Sequence, residues 1–357
     1  MPRPIRATIS ASALAHNLTV ARRHAANAKV WAVIKANAYG HGVERAARAL
    51  DAADGFAVLD LQEAARLRAG GVTKPILLLE GFFQPADLAP LHKYALTPVI
   101  HNPEQVQMLK RSKLEGEIDV YLKVNSGMNR LGFGVEGLRP AYHALRTHPQ
   151  VKGITLMTHF ADADGPGGIQ AQLDWFNELV QPLQAGPRSL ANSATLLRFP
   201  DALGDWVRPG IMLYGCSPFA DQSAEQLGLK PVMTLTSEII ATQHLQAGER
   251  VGYGFGYEAV GEMTIGIVAC GYADGYPRHA ATGTPVLVNG KRTRIVGRVS
   301  MDMVSVDISD IPDAYIGSPV TLWGEGLSAD EVGAASGTLS YELLCKLTAR
   351  VPVAEVA

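Results

Sequence analysis

The sequence predicts an α/β fold: an N-terminal (β/α)8 TIM barrel followed by a smaller, mostly-β domain. Eight short apolar or β-branched runs alternate with amphipathic stretches as far as Gly215, which is the pattern of a parallel sheet with helical crossovers. After about residue 228 the texture changes to strand-like runs joined by Gly-, Pro- and Asn-containing turns. At 357 residues the chain exceeds the usual single core, so one large domain and one smaller one are the default.

The eight runs are VWAVIK (30–35), GFAVLD (55–60), PILLLE (75–80), ALTPVI (95–100), DVYLKV (119–124), VKGITLMTHF (151–160), RSLANSA (188–194) and WVRPGIMLYG (206–215). Between them, VERAARALDAA, LQEAARLRAG and PEQVQMLKRS repeat apolar residues at three- and four-residue spacing, as on one face of a helix. A doubly wound sheet presents the same buried, nearly continuous strands and is left open by periodicity; the count of eight favours the barrel. The later runs are VMTLTSEIIATQHL, MTIGIVACGYA, TPVLVNGKRTRIVGRVS, MVSVDIS and SPVTLWG, with a hairpin signal at Asn289-Gly290 and one helical stretch, SYELLCKLTAR. The expected domains are 1–228 and 229–357, with the first residues packing against the second domain.

Charge is nearly balanced, 32 Lys and Arg against 34 Asp and Glu, with no long block of either sign. Neither nucleic acid nor a membrane surface is an expected partner, which leaves small molecules. Cys216, Cys270 and Cys345 form no CxxC pair and no complete disulfide framework, as fits a reducing cytosol. MPRPIRATISASALAHNL lacks the apolar core of a signal peptide, and no apolar run is long enough to span a bilayer. A cytoplasmic location is expected, and no metal site.

In a barrel of this kind the C-terminal strand ends face the catalytic mouth. There the sequence places Lys35, Arg130, His159, Asn192, Ser193 and Arg208-Pro209-Gly210-Ile211. A lysine closing an apolar strand is either a snorkelling surface residue or a Schiff-base lysine, whose neutral amine is favoured by partial burial. RPGIML is either a turn before a core strand or, with Ser193, a phosphate cradle built on the Gly210 and Ile211 amides. Lysine and phosphate cradle together point to pyridoxal phosphate. The glycines of GYGFGY, at 252, 254 and 256, do not follow GxGxxG, and no crossover helix follows them.

AVIKANAYGHG, LKVNSGMNRLGF, THFADAD, ANSAT, VRPGIMLYG, VGYGFGY, GYADGYPR, GRVSMDM and YELLCKLTAR together resemble alanine racemase, nearly end to end and in the family's order. The resemblance implies pyridoxal phosphate held by Lys35, which would also act as the base on the D-face of alanine. Tyr253 would be the second base, acting on L-alanine from a neighbouring subunit in a homodimer. Tyr39, Ser193 and Tyr341, with the Gly210 and Ile211 amides, match the phosphate-binding set. Arg208 would bond the pyridine nitrogen and be bonded in turn by His159. Arg130 would contact the cofactor and the substrate carboxylate, together with the Met301 amide of the other subunit.

Lys123 corresponds to a lysine that is carbamylated in the family; the residues alone also allow a solvated surface lysine. Asp164, Tyr272 and Arg278 resemble residues lining an access corridor. The implied activity supplies D-alanine, a peptidoglycan precursor. Alternatives are a broader amino-acid racemase, a decarboxylase on the same two-domain plan, and a non-catalytic carrier of pyridoxal phosphate. The decarboxylases' cysteine–aspartate motif is not found, and a carrier would resemble a lone barrel.

Overall fold

Eight parallel strands and their crossovers form the first sheet of the computed structural model, which describes residues 3–112, 116–184 and 186–356. The chain opens with β1 (Arg6–Ser10), which lies outside this sheet. The barrel strands are β2 (Lys29–Val33), β3 (Gly55–Val58), β4 (Ile76–Leu78), β5 (Leu96–Ile100), β6 (Ile118–Lys123), β7 (Val151–Met157), β8 (Arg188–Ser189) and β9 (Trp206–Val207). They pair in parallel in the order β8-β7-β6-β5-β4-β3-β2-β9. All residues of β3 and β4 are buried, because helices cover the outside and side chains fill the inside. Inside, the Trp31 indole donates to Tyr121 Oη at 2.8 Å and stacks on Trp206 at 4.3 Å.

The barrel predicted from the sequence is therefore present, with its last two strands shorter than the apolar runs. Asn192 ends the seventh run because its side chain accepts from Thr195 N–H and caps the helix Ser193–Arg198, a favoured use of asparagine. Pro209 breaks the eighth, and a 3-10 turn, Ile211–Tyr214, follows. Closure between β8 and β9 relies on single contacts: Arg208 N–H donates to Ala191 O at 2.8 Å and Ser189 Oγ donates to Trp206 O at 2.9 Å.

The second sheet is mostly antiparallel and is organised by one long strand, β10 (Met233–Leu245). One part of β10 pairs with Pro319–Trp323 and β1, and the other with Met263–Val268. β1 also pairs in parallel with Val353–Val356, so the two ends of the chain lie side by side in this domain. In β1, Ala7 and Ile9 are buried while the intervening residues are not, the alternation of a strand with one face on a core. Ser10 then caps the helix Ala11–Ala25 that leads into the barrel. Pro285–Val288 and Lys291–Arg294 form the expected hairpin: Asn289 and Gly290 have φ of 50° and 74°, both positive as a type I′ turn requires.

The two domains meet at the barrel mouth. The late helix, Ser340–Cys345, lies so close to the loop after β2 that a Cβ on Gly40 would fall 2.1 Å from Leu344 O. Gly40 also has φ +82°, which an L side chain adopts only at a cost. Gly40→Ala should therefore destabilise the fold by about 2 kcal/mol or more, since strain and a backbone clash add. Urea unfolding checks this, and an unchanged midpoint would show that the helix can move away freely.

Candidate active site

β2 ends at Val33, and Lys35 follows at the barrel mouth, half-buried. Ala36, Asn37, Ala38 and Tyr39 then take φ of 55°, 52°, 54° and 51°. This is a left-handed turn in which none of the four residues is glycine. Its result is that Lys35 and Tyr39, four positions apart in sequence, both serve one cluster. The Tyr39 ring stacks on Tyr214 at 4.6 Å and lies 6.1 Å from the Tyr341 ring, which the late helix of the second domain supplies. Burial holds the Tyr39 hydroxyl far above the ordinary phenol value, and Tyr341 likewise, with Tyr39 and Asp164 adding to the effect there. Both stay protonated and can donate.

Ser193 lies just beyond β8, buried, where its Oγ accepts from Gly210 N–H at 2.9 Å. A Cβ on Gly210 would sit 2.8 Å from Tyr39 Oη, so only glycine lets this backbone approach the phenol. Two hydroxyls and the backbone entering the Ile211–Tyr214 turn thus converge. Such a donor set, free of carboxylates, suits a phosphate monoester.

Cations surround the rest of the mouth. The Lys35 amine is lowered by burial first and by Arg130 second, against a raising influence of Glu80. Lys123, at the end of β6, is only 7% exposed, which rules out a solvated surface lysine. Burial, then Arg208, Arg130 and Lys35, push it down to about 8. Arg208 is buried and drawn to about 10 by burial, so it remains a cation at neutral pH. It donates to Ser189 Oγ at 2.7 Å, Thr158 O at 2.8 Å and Leu190 O at 3.3 Å, and among the described residues no bond joins it to His159. The expected His159–Arg208 bond is thus replaced by backbone and hydroxyl acceptors. His159 is held well below its usual value by burial, then by Arg208, Lys123, Arg130 and Lys35, so it is neutral. Exposed Arg130 and half-buried His159 line a small cavity with Lys123, Ser126 and Thr158.

An anionic aldehyde fits this donor set: hydroxyls and amides for the phosphate, a lysine with a depressed amine for the carbonyl, and arginines beside both. One chain does not bring every predicted residue together. Tyr253 is 69% exposed and Met301 51%, both on loops of the second domain, and Tyr272 and Arg278 are exposed there as well. Asp164 is near enough to Tyr341 to help raise its phenol, after burial and Tyr39.

Two family models match the chain: "Alanine racemase, N-terminal domain" over residues 9–218 and "Alanine racemase, C-terminal domain" over residues 232–354. The chain belongs to the alanine racemase family. Curated alanine racemases of Nitrosospira multiformis and Ralstonia nicotianae are 57% and 56% identical to it over 358 residues, covering 98% and 99% of this chain and 99% and 95% of theirs. The biosynthetic alanine racemase of Pseudomonas aeruginosa matches with a TM-score of 0.96 at 50% identity, covering 99% of this chain and 100% of that one. The Acinetobacter baumannii alanine racemase gives 0.94 at 40% identity, with 99% and 100% covered.

Sequence reading missed several groups of this racemase-family site. Glu80 closes the third run, PILLLE, and the strand-end rule that found Lys35 applies to it equally. Glu63, Tyr214 and Cys345 influence Lys35 or Tyr39 but sit in a helix, an apolar run and a late helix, where no motif singled them out. His41 is 0% exposed, with Nδ1 at 2.9 Å from both Ala38 O and Tyr39 O.

Burial pushes His41 down to about 4, against about 6.5 in an unfolded chain. Between these values the unfolded chain binds the proton more readily, so the stabilisation is complete above about pH 6.5 and is lost as pH falls toward 4. The difference corresponds to roughly 3 kcal/mol. Urea unfolding at pH 7 and near pH 4.5 should show this loss, and His41→Asn, which cannot titrate, should lose less over the same interval. Equal losses would mean that His41 is not held neutral by the fold.

Proposed function

We propose that the chain interconverts L-alanine and D-alanine with pyridoxal phosphate, using two bases in a homodimer with shared active sites. The observation that carries this reading is Lys35: a lysine with a depressed amine beside a cluster of hydroxyl and amide donors. The family relation and the names of the similar proteins support the substrate.

When bound, the cofactor supplies an electron sink that makes the α-hydrogen of an attached amino acid acidic. Lys35 is the group that holds it, because burial raises the share of neutral amine, the form that attacks an aldehyde and accepts a proton. Tyr39, Ser193 and Tyr341 hold the phosphate with the Gly210 and Ile211 amides. Arg208 keeps its protons, so it would donate to the ring nitrogen and leave that nitrogen unprotonated. Such a bond would weaken the sink and discourage side reactions that need long-lived charge in the ring. His159, kept neutral by burial and then by the surrounding cations, lines the cavity with Lys123 and Arg130.

Racemisation removes a proton from one face of the α-carbon and returns one to the other, which a single fixed base serves poorly. Lys35 takes the D-face, and Tyr253 of the partner subunit takes the L-face. The substrate carboxylate is held by Arg130 and by the amide of the partner's Met301. Tyr253, Phe255, Met301 and Met303 are 69%, 66%, 51% and 43% exposed in one chain. Exposed apolar residues of this size fit a surface covered by a second copy. Asp164, Tyr272 and Arg278 line the access corridor in this reading.

A lysine drawn to about 8 is partly neutral near physiological pH, and only a neutral amine adds carbon dioxide. Carbamylation of Lys123 would replace a repelled cation by an anion that Arg130 holds through charge-assisted bonds. A cytoplasmic location, with D-alanine feeding peptidoglycan, is consistent with three free cysteines and with the absence of a membrane-spanning helix among the described residues.

Incubation with L-alanine in deuterated water should produce racemic alanine carrying α-deuterium. Exchange without inversion would overturn the two-base reading, and the absence of both would favour a carrier. Lys35→Ala should lose the visible absorbance of the lysine-bound cofactor. Tyr253→Phe should slow conversion of L-alanine by about 10²–10⁴-fold, the usual contribution of a positioned acid or base. Intact mass should show carbon dioxide added to Lys123; active protein with only the free amine would refute the carbamate.

A further inference from the structure

We propose that Glu63 and His41 are positioning residues that clamp the left-handed turn Ala36–Tyr39 from opposite sides and thereby aim Lys35 and Tyr39 at the cofactor. This rests on the reading of Lys35 and Tyr39 given above.

The turn Lys35–Tyr39 is too short to satisfy its own end groups, since the first N–H and last C=O groups of a helix have no internal partner. Asn37 N–H points outward and donates to Glu63 Oε1 at 2.8 Å, while Glu63 Oε2 accepts from Leu59 N–H at 3.2 Å. Leu59 directly follows β3, and Glu63 lies in the first turn of the helix Leu61–Ala69, whose Asp60 cap accepts from Glu63 N–H at 2.9 Å. One carboxylate therefore fixes the turn to the end of the neighbouring barrel strand. On the other side, the Ala38 and Tyr39 carbonyls share the Nδ1 proton of His41. The imidazole packs against Tyr214 at 4.7 Å, and Tyr214 Oη donates to Val33 O, at the end of β2, at 2.9 Å. Asn37 Oδ1 adds a bond from Val43 N–H at 3.1 Å.

His41 Nε2 is buried with no partner. An apolar side chain would fill the space without orphaning a nitrogen, so the Nδ1–H donor is the feature the turn uses. A left-handed run of non-glycine residues relaxes unless its surroundings over-determine it, and relaxation would rotate Lys35 relative to Tyr39.

Three variants test the clamp. His41→Leu removes the donor, His41→Asn can donate from the Nδ1 position, and Glu63→Gln sets an NH2 against one of the two backbone N–H groups. In cofactor-free protein, amide exchange over residues 36–40 should accelerate at least about tenfold in His41→Leu and Glu63→Gln. In full-length holoenzyme, both should bind pyridoxal phosphate about 10–100-fold more weakly and lose a similar factor in kcat. Their KM for alanine should stay near the wild-type value, because the substrate carboxylate is held elsewhere. His41→Asn should recover most of each effect.

Unchanged exchange and cofactor affinity in folded His41→Leu and Glu63→Gln would overturn the clamp. So would equal losses in His41→Leu and His41→Asn, since packing would then outweigh the donor. Should His41→Leu not fold, Glu63→Gln decides by the same readouts. Wild-type protein that takes up no pyridoxal phosphate would defeat the earlier reading instead, and the exchange measurement would still decide whether these residues clamp the turn.

Discussion

A short stretch of backbone wound in the disfavoured hand governs the mouth of the barrel. For L-residues each left-handed helical position costs roughly 1–2 kcal/mol, and Ala36, Asn37, Ala38 and Tyr39 occupy four in succession. Such a segment persists only where neighbours hold it. Here the neighbours come from β2, β3, the 3-10 turn after β9 and the late helix of the second domain. Gly40 extends the positive φ by one residue and lets that helix approach. The turn is thus where the second domain meets the barrel beside β2, β3 and the segment after β9, and a shift in any of them reaches Lys35.

Electrostatics impose the second constraint. Lys35, Lys123, Arg130 and Arg208 share one mouth, and Glu80 is the carboxylate that raises both lysines. Arginine cannot relieve the repulsion by shedding a proton at neutral pH; lysine can, and both lysines are lowered. The tension is useful. A depressed lysine carries more neutral amine at neutral pH, the form that acts as nucleophile and base, and a mouth with excess positive charge attracts an anionic ligand. A bound phosphate, a substrate carboxylate and a carbamate on Lys123 would each remove part of the repulsion, so affinity for them follows from the arrangement that activates Lys35.

Eight apolar runs and a change of texture near residue 228 were enough to name the barrel and the β domain, because buried parallel strands must be apolar along their length. The ends of β8 and β9 were not legible in that way. Asn192 and Pro209 stop those strands through a cap and a missing N–H, and the residues beyond stay apolar because the turns are buried too. The strand-end rule found Lys35, His159, Ser193 and Arg208, whose positions depend on local backbone. It did not find the left-handed turn, since Ala-Asn-Ala-Tyr carries no glycine to announce positive φ and only Asn37 belongs to a type that tolerates it. Glu63 and His41 escaped for the related reason that their partners are backbone groups of that turn.

The second domain contributes on two sides at once. Its late helix brings Tyr341 to the chain's own Tyr39, whereas its GYGFGY loop carries Tyr253 out into solvent. Gly252 and Gly254 have φ of +72° and +65°, and a Cβ on Gly254 would meet the Arg298 guanidinium at 3.0 Å, so the loop wraps closely around that side chain. Tyr253 is thus held outward on the surface of its own chain, 69% exposed. The proposed racemisation uses a second base on the face opposite Lys35. In the proposed two-base reading, a single chain would hold one base in its barrel and display the other on its surface, and a two-fold arrangement of identical chains would complete both sites with one interface.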